Sequence, residues 1–408
     1  MKNKIVGIFV FMLLITTCVI PVYGFESQSN VKKSSILEIP DSYVIENVPY
    51  VSQGDTYYCY YASITMIFQY YRINASLFEV LFNSGIGYSG AYKILYPCLN
   101  FAANGISMTV KDRQFLSEIY GLNYSRWSCN DKSISDDSKW QMYWTYVKEN
   151  ISKNIPVTTI VMMENLPYIP PEPPLDHMIV LVGYNQTNGT VCVHDPYAGV
   201  VNASLSGAYI FIPIECIRKT ISNFSYFFEK FEDTSNEPLS KEEAFELAHS
   251  RNIQKMKGDS NAYDKDELNT IQGNRKTLIF FGVNSLKFLK RSYNIGNLLM
   301  MKIVGTYDIV NSYSSVMFYI PYEGKHNMSQ YLIENADMYP NGFFEANMLD
   351  IEANNWLLLY FKNIELFSIP NFRLSSKILV LKEIRDILDV IISIEEDIIT
   401  GPSSIVSS

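Results

Sequence analysis

Gln53 stands six residues before Cys59, and the thiol lies where an extended piece, Val48 to Gln53, gives way to an apolar and aromatic run through Ile64, Met66, Ile67, Phe68, Tyr70 and Tyr71. That run predicts a helix from about Cys59, which puts the thiol at a helix N-terminus. Unsatisfied backbone N–H groups and the positive dipole end there favour the thiolate, the form that attacks carbonyls. A cysteine at a helix start is also a common structural residue, so the position needs partners before it means anything. Two candidates lie far along the chain: His177 opens a β-rich run, HMIVLVGYN, and Asp195 ends the next one, TVCVHD. A thiol, an imidazole and a carboxylate brought together are a residue set for covalent attack on acyl groups.

Whether His177 and Asp195 meet depends on the register of the hairpin they flank. A two-residue turn at Asn188-Gly189 would set Asp195 opposite Val182, roughly five residues and about 15 Å along the strand from His177. A longer loop centred on Gln186 and Thr187 sets Asp195 opposite Met178, next to His177. The catalytic reading requires the longer loop, and that register is the expectation.

Cys, His and Asp in this chain order form the papain-like arrangement. The region Val48 to Tyr197 resembles the bacteriocin-leader-processing (double-glycine) cysteine peptidases of papain-like fold. The resemblance is carried by a Gln six residues before the Cys (Gln53, Cys59), an H-x-x-x-x-x-G-Y string from His177 to Gly183 and Tyr184, and the closing Asp195-Pro196. It implies that Cys59 is the nucleophile, His177 the general base and acid, Asp195 the group that orients the imidazole, and Gln53 a side-chain donor to the oxyanion hole. Tyr60 departs from the family, which usually has Gly directly after the nucleophile; it crowds a substrate or packs into the core. The domain plan also resembles the butirosin-type acyltransferases, without motifs that can be matched in the second half. Three classes are therefore carried forward: a hydrolase of peptide or amide bonds acting through a thioester, an acyltransferase using the same site, and an inactive binding protein on the same fold.

Other readings of these residues compete. Gln53 could be an ordinary loop residue. Asp176, His177, Cys192 and His194 sit close in sequence, but their spacing matches no common zinc pattern, and no metal or cofactor is expected. Ile169 to Pro174, rich in proline, reads as a stiff extended connector that either walls the cleft or lies on the surface.

The predicted architecture is α+β: a papain-like peptidase domain with an antiparallel sheet over residues 40–232, then an all-helical domain over 238–400 and a flexible tail, 401–408. Ser240 and Glu243 have capping-box spacing ahead of a helix to about Lys257, and residues 264–292 and 377–399 show apolar steps of three and four. The helical half holds no Cys, and His249 and His326 are remote from any nucleophile, so it is expected to restrict access or bind a partner.

Residues 1–24 have the layout of a secretory signal peptide: Lys2 and Lys4, an apolar run to about Ile20, and Val22-Tyr23-Gly24 before Phe25. The alternative is an uncleaved N-terminal anchor. The chain is expected to be secreted or held at the cell surface, where an unpaired thiol stands out. Five cysteines remain after cleavage (Cys59, Cys98, Cys129, Cys192, Cys216), an odd number that leaves one thiol over if the rest form up to two bridges. The net charge of −9 disfavours nucleic acid or an anionic membrane as partner, whereas the peptidase resemblance implies a peptide or protein substrate; the oligomeric state stays open. Sequons begin at Asn74, Asn123, Asn150, Asn185, Asn188, Asn202, Asn223 and Asn327, as in a surface glycoprotein. The extracellular setting favours hydrolysis over acyl transfer, since acyl donors are normally cytoplasmic.

Overall fold

The computed structural model describes residues 39–89, 91–95, 99–103, 110–170, 176–234, 236–259, 261–262, 278–297, 307–339, 341–370 and 373–401. The signal segment 1–24, Cys98, the prolines from Pro171 to Pro174 and the tail from Pro402 lie outside the described residues. The chain divides into two compact units. One contains Pro21–Val80 and Leu116–Leu239, the other Leu81–Phe115 and Ser240–Ser408.

The first unit is built on a seven-stranded sheet in which β4 (Leu122–Trp127), β9 (Phe228–Asp233), β5 (Val157–Met162), β6 (Asp176–Asn185), β7 (Thr190–His194) and β8 (Ile210–Pro213) follow one another, with β1 (Ser42–Val44) also paired to β6. All these pairings are antiparallel. β6 has three partners. β7 takes one edge, while β5 covers residues 176–181 and β1 residues 183–185 of the other. At Gly183 the three strands leave no room for a side chain: a Cβ there would lie 2.8 Å from the Tyr43 carbonyl oxygen and 3.1 Å from Cys192 Cβ.

Helix α1 (Cys59–Tyr70) buries every residue from Tyr61 to Phe68, as expected of a helix apolar on all sides. Phe68 packs against Tyr120 and Phe231, and Ser63 Oγ donates to the Met178 carbonyl at 3.2 Å, fastening the helix to β6 beside His177. Helix α4 (Asp136–Ile151), capped by Ser135, presents Trp144 edge-on to Tyr184 of β6.

The second unit corrects the expected plan in two ways. It is not a contiguous stretch beginning near Pro238, because Leu81–Phe115 belongs to it. Phe82 stacks on Phe245 at 4.7 Å, Tyr88 donates to Glu345 at 2.5 Å, and Asp112 pairs with Arg251 and, at 2.6 Å, with Lys255. Nor is it all-helical. β2 (Ala91–Leu95), β3 (Leu99–Ala103) and β10 (Leu278–Phe281) form a three-stranded antiparallel sheet. Leu278-Ile279-Phe280-Phe281, within the stretch 264–292 read from sequence as helical, is thus a strand, the helix α8 covers Val283–Ser292, and residues 264–277 lie outside the described residues. Four consecutive apolar residues carry no period that separates strand from helix.

After residue 240 the described helices also include α7 (Lys241–Lys257), α9 (Tyr307–Glu334), α10 (Gly342–Ser368) and α11 (Leu374–Thr400), while α2 (Leu77–Ser84), α3 (Val110–Ile119), α5 (Ala198–Val201) and α6 (Ile214–Ile221) come earlier in the chain. α7 starts on the Ser240/Glu243 capping box and ends on Gly258. A core of Trp356, Leu359, Leu366, Ile384, Leu388 and Ile391 joins α10 to α11. At its centre Lys325 of α9 bridges Glu352 (2.8 Å) and Glu395 (3.0 Å), all three nearly fully buried. No helix among the described residues is long and apolar enough to cross a membrane.

One cation thus balances two buried carboxylates. Burial pushes the Glu352 carboxyl up, the Glu395 charge adds to that, and Lys325 opposes it. Lys325→Ala should destabilise the helical unit by about 3–5 kcal/mol, measured by urea unfolding, because it leaves buried charge uncompensated. Lys325→Ala/Glu352→Leu/Glu395→Leu should recover most of that loss.

Candidate active site

Helix α1 begins at Cys59, and no side chain caps it. The thiol stands at the first helical position, at the positive end of the helix dipole. One turn later Ser63 bonds to Met178, and this i, i+4 relation holds the same helix face toward the start of β6, where His177 lies. Cys59 is half-buried and in no disulfide, and it acts on the His177 ring closely enough to raise the pKa of that imidazole. His177 Nε2 donates to Asp195 Oδ1 at 2.7 Å, which leaves Nδ1 for the sulfur. His177 and Asp195 are both buried.

The hairpin register that makes this contact is not the expected one. Asn185 pairs with Thr190 around a four-residue loop, and a bulge between Leu181 and Gly183 then sets Val180 opposite His194 and Leu181 opposite Val193. Continued by one residue, this aligns Asp195 with Ile179, not Met178. The difference matters because strand side chains alternate between faces. With Asp195 opposite Met178, His177 would face the other side of the sheet. Opposite Ile179, Asp195 shares a face with His177 as a diagonal neighbour, within reach of a long side chain. Without the bulge, Asp195 would align with Val180 and the parity would again be wrong.

Asp195 is held on all sides. Its N–H donates to the Gly207 carbonyl at 2.8 Å. Oδ1 also accepts from the Tyr197 N–H at 2.8 Å, and Oδ2 accepts from Tyr168 Oη at 2.7 Å. Tyr50 Oη donates to the Asp195 carbonyl at 3.2 Å. Gly207, at φ +78°, makes room for that tyrosine, since a Cβ would fall 2.2 Å from Tyr50 Oη.

Gln53 is brought to the same place. Its N–H donates to the Pro196 carbonyl at 3.0 Å, next to Asp195. One side-chain N–H is spent on the Thr56 carbonyl, and Oε1 is buried without a hydrogen-bond partner. The amide therefore has one N–H left over. Tyr60 is half-buried and packs edge-on against Tyr61 at 5.8 Å.

His194, adjacent in sequence to Asp195, is separate from this arrangement. It is buried edge-on to Tyr209 (4.4 Å) and near Tyr50 (6.4 Å). Burial lowers its pKa to about 4, so it is a neutral core residue. The cysteine count did not translate into bridges: Cys59, Cys129, Cys192 and Cys216 are all free thiols, so pairing does not single out Cys59 among the described residues. Cys192 is core, on a strand at the crowded Gly183 crossing.

Residues 45–209 match the Peptidase_C39 like family. The match spans Gln53, Cys59, His177 and Asp195 and supports the resemblance to C39 cysteine peptidases. The crystal structure of a C39-like peptidase from Bacillus anthracis is similar over 48% of this chain and 99% of that chain, at 15% identity and a TM-score of 0.31, too low to carry an argument. No curated protein matches the chain.

The electrostatics of the pair have a definite sign. Burial alone would lower the His177 pKa, but the Asp195 charge and hydrogen bond, with Cys59 adding to them, raise it to about 10. Burial raises Asp195, but His177, Tyr168 and the Tyr197 N–H overcome it and hold the carboxyl below its usual value. The stability from His177 is thus complete below its unfolded value of about 6.5 and lost as pH rises through about 10. That from Asp195 is present above about 3.9 and lost as pH falls further. In Asp195→Asn the imidazole should release its proton at lower pH than in the wild type, as read from the His177 ring protons by NMR. Gly207→Ala, which must displace Tyr50 and adopt a disfavoured φ, should cost roughly 1–3 kcal/mol in thermal unfolding and slow any Cys59-dependent reaction.

Proposed function

We propose that this chain is an exported cysteine-nucleophile hydrolase of peptide or amide bonds. The observation that supports the reading is the buried 2.7 Å bond from His177 to Asp195, with the free Cys59 thiol acting on the same imidazole, within a segment that matches a peptidase family. His177 takes the thiol proton. The Cys59 sulfur attacks the substrate carbonyl, and the tetrahedral oxyanion is met by the free N–H of Gln53 together with backbone N–H groups at the start of α1. Collapse to a thioester expels the amine, which takes the proton back from His177. Water, deprotonated by the same imidazole, then cleaves the thioester and restores the thiol. Asp195 holds the ring orientation and stabilises the imidazolium. Export rests on the N-terminal segment with signal-peptide layout.

The test is labelling of the purified protein with iodoacetamide and mapping of the modified residue, followed by turnover of fluorogenic peptide amides. Cys59 should be the fast-reacting thiol among the free cysteines. Cys59→Ala and His177→Ala should reduce turnover by about 10⁴-fold or more while the protein stays folded, Asp195→Asn should leave a measurable residue, and Gln53→Ala should cost roughly 10²-fold. Product should form without an added amine acceptor, whereas an acyltransferase would need one. Slow Cys59 alkylation with no covalent adduct on any peptide amide would refute the catalytic reading.

A further inference from the structure

The connection from β5 to β6 leaves the sheet at Met162, turns through a 3-10 segment at Met163–Asn165, and is pinned by hydrogen bonds from Leu166 N–H to the Met163 carbonyl and from Ile169 N–H to the Leu166 carbonyl. Between these pins Tyr168 reaches Asp195 Oδ2 at 2.7 Å. The two oxygens of Asp195 are thereby used differently. Oδ1 carries both the imidazole N–H and the Tyr197 N–H, while the bond to Oδ2 comes from Tyr168.

A carboxylate turns easily about its last side-chain torsion, since that torsion is broad and roughly two-fold. Two donors on Oδ1 resist that turn from one side only, and without a donor of its own Oδ2 could swing, carrying Oδ1 with it, or take a proton. The swing would move Oδ1 out of line with the imidazole. Solvent cannot supply the missing donor, because Asp195 is fully buried. Resting on the reading of Cys59, His177 and Asp195 given above, we propose that Tyr168 is a positioning residue of this site, whose hydroxyl locks the Asp195 carboxylate in the orientation that aims Oδ1 at His177. The hydroxyl is suited to this, because burial and the Asp195 charge both raise its pKa and keep it a donor at every working pH. Nothing in the family motifs marks this tyrosine, which lies nine residues before His177 and in a different connection.

The experiment uses the full chain and the rate of Cys59 alkylation by iodoacetamide as a function of pH, with Tyr168→Phe, Asp195→Asn and the double variant. Phe keeps the ring and removes one oxygen, so the protein should fold, and thermal unfolding checks that it does. Without the hydroxyl, Asp195 takes its proton at higher pH, the imidazolium loses its counter-charge there, and the Cys59 thiolate loses its partner. The acid limb of alkylation should therefore move up by about one pH unit, a rate loss of about tenfold on the limb. In the Asp195→Asn background Tyr168→Phe should change the limb no further, because the residue acts only through Asp195. A Tyr168→Phe limb that coincides with the wild type, or an equal added loss on Asp195→Asn, overturns the proposal. Wild-type protein whose Cys59 fails to alkylate faster than its other thiols would instead refute the reading of the site itself, and this proposal with it.

Discussion

A strand shows its side chains to alternate faces, so two residues on neighbouring strands meet only when the register gives them the same parity. The site depends on this constraint more than on any other. His177 begins one strand and Asp195 follows the end of the next, and a bulge at Val182 adjusts their alignment by a single residue. The 2.7 Å bond between them follows from that one-residue adjustment. The bulge lies where β1, β6 and β7 crowd together at Gly183. A residue lacking a Cβ is required there for space, which gives the glycine of the H-x-x-x-x-x-G-Y string a physical reason.

The order Cys, His, Asp and the placement of Cys59 at a helix start were legible in the sequence because each rests on local signals: an apolar run, two β-rich runs, and a turn-forming stretch between them. The register was not. The catalytic reading selected the longer loop and with it Met178 as the partner of Asp195, and the run Ile179-Val180-Leu181-Val182 contains nothing to announce a bulge. Tyr168 was equally silent, since in a chain with 30 tyrosines no spacing separates one that donates to a buried carboxylate from one that packs. Gln53 was visible by its six-residue step, but that step did not reveal that one of its N–H groups is spent on Thr56.

The second unit shows the same division between local and long-range information. Its α7 cap was readable from Ser240 and Glu243, two residues whose side chains accept from each other's backbone N–H. The pairing of Leu278–Phe281 with Ala91–Leu95 joins segments more than 180 residues apart, and no local period can foretell such a pairing. The buried Lys325, Glu352 and Glu395 group is likewise drawn from three helices, and each charge looks like a solvated residue until its partners are known.

The 35 residues from Leu81 to Phe115 leave the sheet unit, complete the fold of the helical one, and return. In topological terms the two units are interleaved along the sequence: among the described residues the polypeptide crosses between them three times. A recombinant fragment cut after Leu239 would therefore carry an orphaned loop, with Phe82, Tyr88 and Asp112 stripped of Phe245, Glu345 and Lys255. Gene fusions or module shuffling that exchanged the C-terminal helices wholesale would meet the same obstacle. The heritable unit of this architecture is the whole interleaved chain, so changes on the two sides of the Val80/Leu81 and Phe115/Leu116 crossings must be accommodated together.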